Sequence, residues 1–150
     1  MVSRAAIDEF LKLEALAVVG ASRKRVKFGN KAYRDLKAKG YNVVPVNPTA
    51  ETIEGDRCYR DVASLPKNVR GLVLVVPPVI AERIVPQAKA AGVTHIWMQP
   101  GAESKTAVAS CRENGLTAID GQCIMMHAAP VGAFHKFHRF FARLGGKTPK

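Results

Sequence analysis

The sequence predicts an α/β fold: a Rossmann-like, doubly wound parallel sheet of about five strands with helices on both faces. Three observations predict it. Five short apolar runs alternate with amphipathic stretches of helical period. The runs are apolar on both faces, as strands buried between two helix layers must be. Each helical stretch closes on a glycine suited to a left-handed C-terminal cap. Strand, helix, strand repeated in this way implies right-handed crossovers.

In chain order, ALAVVG (15–20) is the first strand and NKAYRDLKAKG (30–40) the first helix. NVVPV (42–46) follows as a strand. The stretch 49–70 loses its periodicity and should hold only a short helical turn near DVASL. GLVLVV (71–76) is the third strand and VIAERIVPQAKAAG (79–92) the second helix. Pro86 should kink that helix or mark a late start, because proline lacks the amide donor and its ring crowds the preceding turn. THIWMQ (94–99), ESKTAVASCRENG (103–115) and LTAID (116–120) complete the pattern as strand, helix and strand.

With 150 residues the chain is about one domain long. Residues 1–126 are expected to form the α/β domain and 127–150 a basic amphipathic helix and tail. There Phe134, Phe137, Phe141 and Leu144 recur at helical spacing among Lys136, Arg139 and Arg143. No apolar run approaches the roughly 20 residues of a membrane-spanning helix. Asp8, Glu9 and Glu14 interrupt any secretory or transit pattern at the N-terminus. Cys58, Cys111 and Cys123 are widely spaced and odd in number, which suits neither a disulfide framework nor a zinc site and implies a reducing, cytoplasmic setting. The net charge of +11 draws anions, five of the charges lying in the tail without an acid beside them.

Ligands of a doubly wound sheet bind beyond the carboxyl ends of its strands, so the informative residues are the strand-end turns. The first reads GASRKRVKFG (20–29). Gly20, Ala21 and Ser22 are small enough for close approach of a phosphate to backbone amides, and Arg23, Lys24, Arg25 and Lys27 supply charge. A plain tight turn followed by a solvated basic loop is the simpler alternative. A nicotinamide dinucleotide site would show GxGxxG and an acid ending the second strand. Neither is present, and Asn47 stands where the acid should be. NAD is disfavoured, whereas NADP, whose extra phosphate wants cations, stays open. The third strand ends VVPP, either an apolar wall beside a ligand or a helix entry with proline in its first turn. The fourth ends WMQPG, setting Gln99 and Gly101 on the same rim.

Together, GAS after the first strand, VNP after the second, paired prolines after the third, WMQPG after the fourth and DGQC (120–123) after the fifth resemble the CoA-binding domain family. These are small stand-alone proteins similar to the CoA-binding half-domain of the succinyl-CoA synthetase α subunit. The resemblance spans roughly residues 10–127. It implies that coenzyme A or an acyl-CoA is the cofactor and that Gly20, Ala21 and Ser22 hold its pyrophosphate. It also implies that Lys27 or a neighbour such as Arg23 pairs with phosphate and that Asn47 and Pro48 lie beside the adenosine. Val76, Pro77 and Pro78 would line the adenine or pantetheine, with Gln99 and Gly101 on the pantetheine side. The chain departs from many relatives in having Gly121 and Gln122 where they carry a D-R-C ending.

The residues favour binding over turnover. No carboxylate pair and no Ser, His, Asp arrangement stands at the strand ends. His127, His135 and His138 lack the further ligands that zinc needs, and Cys123 reads as a buried thiol near the rim. Two alternatives stay open: an NADP-dependent or other nucleotide-using enzyme, and a nucleic-acid-binding protein acting through the basic tail. A sheet covered on both faces argues against base stacking. The tail's Phe stripe could equally pack on the domain or on a second copy in a homodimer.

Overall fold

The computed structural model describes residues 2–131. The tail expected over 127–150 therefore lies outside the described residues from 132 onward.

The chain opens with α1 (Arg4–Leu11), begun where the Ser3 hydroxyl accepts from the Ala6 amide at 3.1 Å. Its spacing places Ile7, Phe10 and Leu11 on one face, and all three are buried. Next come β1 (Ala15–Val19), α2 (Phe28–Ala38) and β2 (Val43–Val46). A small antiparallel hairpin follows, β3 (Thr52–Ile53) and β4 (Asp56–Arg57). A 3-10 turn at Val62–Ser64, capped by Asp61, matches the helical turn expected near DVASL. The remaining elements are β5 (Val69–Leu74), α3 (Pro78–Ala90), β6 (His95–Met98), α4 (Lys105–Glu113), β7 (Thr117–Ile119) and α5 (Ile124–His127).

The five long strands form one parallel sheet in the order β2-β1-β5-β6-β7. The strand order reverses between β1 and β5, where the chain leaves β2 and crosses to the other side of β1. Successive strand residues point to opposite faces, so each strand feeds two cores. Leu72, Leu74, Ile96 and Met98 pack with Ile84 and Val85 of α3 and Cys111 of α4. Leu16, Val18, Val73 and Trp97 pack with Phe10 of α1 and with Tyr33 and Leu36 of α2. The five predicted strands and three predicted helices are all present.

Three features depart from expectation. The helix α1 was not anticipated, although its Ser3 cap and apolar spacing are visible in the sequence. The stretch 49–70 also contains the β3–β4 hairpin, whose strands are too short to carry a period. And α3 does not start late at Pro86: it begins at Pro78 and runs through Pro86 to Ala90. Pro86 is on the exposed face, so the helical carbonyl it leaves without a donor faces water.

Phe10 is fully buried, with its ring edge-on to Trp97 at a centroid distance of 5.3 Å. Phe10→Ala should therefore cost about 3–5 kcal/mol in unfolding free energy, read from urea denaturation. A loss below about 1 kcal/mol would mean that α1 is not integral to this core.

Candidate functional site

Two glycines shape the end of β1: Gly20 lets it pass close to the residue after β5, and Gly29 lets the start of α2 abut it. Gly20 has φ +118°, and a Cβ there would lie 2.0 Å from the Val75 carbonyl oxygen. A Cβ on Gly29, in the first turn of α2, would lie 2.4 Å from the Gly20 carbonyl oxygen. Only bare backbone fits at this junction, so the helix N-terminus abuts the turn directly. Lys27, the N-cap, contributes no side-chain acceptor to α2. The Asn30 amide donates to the Lys27 carbonyl at 3.1 Å, which leaves the Phe28 and Gly29 amides of the first turn without an intrahelical acceptor, and the helix dipole adds positive potential around them.

Asn30, fully buried, shapes the turn. Its Oδ1 accepts from the Ser22 amide at 2.8 Å, and its Nδ2 donates to the Ser22 carbonyl at 2.7 Å. The Ser22 hydroxyl in turn accepts from the Lys24 amide at 3.1 Å. Asn47 makes the matching connection from the end of β2. Its Nδ2 donates to the Ala21 carbonyl at 3.0 Å, while its Oδ1 accepts from the Thr49 amide at 2.9 Å and the Ala50 amide at 3.0 Å. Arg23 reaches the same loop, donating from Nη2 to the Thr49 carbonyl at 2.7 Å. Asn47 and Arg23 thus tie the turns after β1 and β2 to each other, while Asn30 ties the first of them to α2.

The β3–β4 hairpin closes over this pair of turns. The Glu54 carboxylate accepts from Asn30 Nδ2 at 3.0 Å, Arg25 Nε at 3.0 Å and Arg34 Nη1 at 2.8 Å. These partners, Asn30 foremost, hold its carboxyl below the usual carboxylate range. Asp56 is acidified in the same way by Lys37 first and then by the Tyr33 hydroxyl, which lies 2.5 Å away. Burial, then Asp56, pushes Tyr33 well above the ordinary phenol value. Between hairpin and turns lies a cavity of about 860 Å³ lined by Ser22, Arg23, Arg25, Asn30, Thr49 and Glu54 among others. Lys24 and Lys27 make no ion pair with the described residues.

The structure divides the predicted site. Ser22 and Arg23 line the cavity; Gly20, Ala21, Asn47 and Pro48 belong to the two turns that bound it. Lys27 stands exposed at the entrance of α2. Val76, Pro77, Pro78, Gln99 and Gly101 lie farther along the same carboxyl rim and do not line the cavity. Pro77 is the N-cap and Pro78 the first residue of α3, which is the helix entry that two consecutive prolines allow. Gln99 is 1% exposed and acts as a strut: its Oε1 accepts from the Ile124 amide at 2.7 Å, and its Nε2 approaches Cys123 Sγ at 3.5 Å. The Gly101 amide donates to Glu103 at 3.0 Å.

Cys123 is half-buried rather than buried; burial raises the Cys111 thiol to about 11, leaving it inert. In DGQC, Gln122 makes a neutral contact, with its Oε1 2.8 Å from His127 Nε2. Among the described residues no group of three or more His, Cys, Asp or Glu side chains could hold a metal. His135 and His138 lie outside them. Asn30, Arg34 and Glu54 are functional candidates that sequence reasoning passed over. Asn30 left no separate signal, because the predicted helix opens on it, where asparagine is an ordinary cap. Glu54 left none.

Residues 14–129 match the profile of the CoA binding domain family. Two solved structures are similar over most of the chain. One, a conserved hypothetical protein from Pyrococcus furiosus, is 42% identical with a TM-score of 0.73, over 76% of this chain and 98% of that one. The other, a hypothetical protein from Pyrococcus horikoshii OT3, is 31% identical with a TM-score of 0.78, over 83% and 89%. The α subunit of an ADP-forming acetate–CoA ligase II from Pyrococcus furiosus is 35% identical over 72 residues, 47% of this chain and 16% of that protein. The chain thus spans less than a fifth of the length of the curated relatives it matches.

Two outcomes follow from the geometry. Gly29→Ala should separate α2 from the β1 turn and lower stability by about 2 kcal/mol or more, because the added methyl meets backbone that cannot rotate away. Acidification of Glu54 means its stabilisation is present above the usual carboxylate pKa of about 4.3 and is lost as pH falls through the lower folded value. Wild type should thus exceed Glu54→Gln in urea midpoint at pH 7. The difference should shrink as pH is lowered below about 4; a gap independent of pH would contradict the charged contact.

Proposed function

The chain belongs to the CoA-binding domain family, and we propose that it binds coenzyme A or an acyl-CoA, without chemistry of its own, at the carboxyl ends of β1 and β2. The observation that carries this reading is the turn after β1. It is held open by Asn30 and Asn47, abutted by the bare N-terminal turn of α2, and flanked by Lys24 and Lys27, which have no ion-pair partner among the described residues. That set of donors suits a pyrophosphate, and the neighbouring cations suit a further phosphate. The cavity volume lies within the range of small-molecule sites.

A second feature favours coenzyme A over a simple nucleotide. Large apolar side chains stand exposed along the same carboxyl rim: Val26 and Phe28 after β1, Val79 at the start of α3 and Met126 in α5. A ligand with a charged nucleotide end and a long pantetheine arm would use both kinds of surface. In this reading Gly20, Ala21 and Ser22 receive the pyrophosphate, Arg23 and Lys27 add charge, and Asn47 and Pro48 lie against the adenosine. Val76, Pro77, Pro78 and Gly101 border the path of the arm, and Gln99 supports it from beneath. NADP remains the competing ligand, since cations serve its 2′-phosphate equally and Asn47, unlike a carboxylate, does not repel that phosphate.

Isothermal titration decides between them. CoA should bind, and dephospho-CoA, lacking the 3′-phosphate, should bind roughly tenfold more weakly for one lost charge-assisted contact. Ser22→Tyr should block binding by bulk while leaving the far-ultraviolet spectrum native. Absence of heat with CoA and acetyl-CoA, or preference for NADPH, would overturn the proposal.

A further inference from the structure

The hairpin tip places an acid where a ligand phosphate would be expected. Glu54 Oε1 accepts from Arg25, while Oε2 accepts from both Asn30 and Arg34. Two anionic oxygens shared among a guanidinium pair and a primary amide form a donor arrangement that a phosphate would satisfy equally well. The carboxylate is sequestered: its side chain is 7% exposed, whereas that of Arg25 is 72% exposed and open to an arriving anion. Asn30 joins this cluster to the candidate phosphate turn, because the same side chain holds both Ser22 and Glu54.

The backbone at this point is also unusual. Glu54 has φ +51° and Gly55 φ +80°, so both residues of the two-residue hairpin loop are left-handed. Asn-Gly or Asp-Gly is the favoured pair in such a loop. Glutamate is disfavoured there, and among the described residues Glu54 is the one non-glycine with positive φ. Turn geometry therefore does not explain the choice of residue; the contacts of its carboxylate do.

We infer that Glu54 is an internal anion that competes with ligand phosphate for Arg25, Arg34 and Asn30, so that filling this subsite and releasing the hairpin tip are one equilibrium. The inference rests on reading the cavity as a phosphate site. Its consequence is that observed affinity equals the intrinsic affinity reduced by the fraction of molecules with the tip released. Glu54 would thereby set how strongly negative a ligand must be: a multiply charged phosphate displaces it, and a singly charged carboxylate does not.

The test uses the full chain and two probes, inorganic pyrophosphate and CoA, titrated calorimetrically into wild type and Glu54→Gln. The substitution keeps shape and removes charge, so affinity for both probes should rise roughly tenfold or more, the scale of one charge-assisted hydrogen bond. Unchanged or weaker pyrophosphate binding by a natively folded variant overturns the inference and makes Glu54 a brace for Arg25 and Arg34. A gain for pyrophosphate with no CoA binding in either protein upholds the inference while removing the coenzyme reading. CoA binding with neither probe responding to the substitution does the reverse. Should the variant not fold, the unmodified protein still answers. On addition of pyrophosphate the amide resonances of Glu54 and Gly55 and the side-chain amide of Asn30 should shift together with one Kd, and shifts that spare them overturn the inference.

Discussion

The site depends on one close contact, the first turn of α2 lying against the end of β1 with no side chain between them. Gly29 makes it possible, since a Cβ there would overlap the Gly20 carbonyl, while Gly20 itself clears the Val75 carbonyl just after β5. Asn30 then becomes the pivot, because a side chain one turn into the helix can reach the Ser22 amide and carbonyl only at that separation. A longer approach would leave the buried Oδ1 of Asn30 without its Ser22 donor, a costly arrangement. Backbone proximity and the polar clamp are therefore a single constraint satisfied twice.

Charge is distributed around that constraint in an uneven way. The chain carries +11 overall, yet the cations nearest the turn have different fates. Arg25 and Arg34 share the single negative charge of Glu54, and Lys37 pairs with Asp56, so the hairpin is fastened to α2 by two acidified carboxylates. Arg23 gives one hydrogen bond to the neighbouring loop and keeps its charge. With Lys24 and Lys27 it remains to face an anion. A count of basic residues overstates the positive field at the turn, and the hairpin acids explain the difference.

The far half of the rim is built on different physics. Gln99, Cys123 and Gln122 connect β6 to α5, with Trp97 donating its indole hydrogen to the Gln122 carbonyl at 2.8 Å. These contacts stiffen the end of the sheet and orient the start of α5 rather than lining the cavity. Exposed Val79 and Met126 give this half an apolar character. Charge on the rim is concentrated at β1 and β2, whereas exposed apolar side chains, Val26 and Phe28 as well as Val79 and Met126, stand along all of it.

The strands, the helices that cover them and the tight turn after β1 were legible in the sequence because each rests on a local pattern. Apolar runs of strand length, periods of helical length and glycines at turn positions are all decided within a few residues. Even α1 carried such a pattern in Ser3, Ile7, Phe10 and Leu11. The strand order, the hairpin over the cavity and the pairing of Glu54 with Arg25, Arg34 and Asn30 were decided only by tertiary structure. Glu54 lies 20 to 29 residues from its partners in the chain, and the polar side chain of an acid in a loop says nothing about which cation it will meet. Such a contact exists because the packed sheet brings β2's loop and α2 together, and burial then makes an unpaired charge too costly to leave.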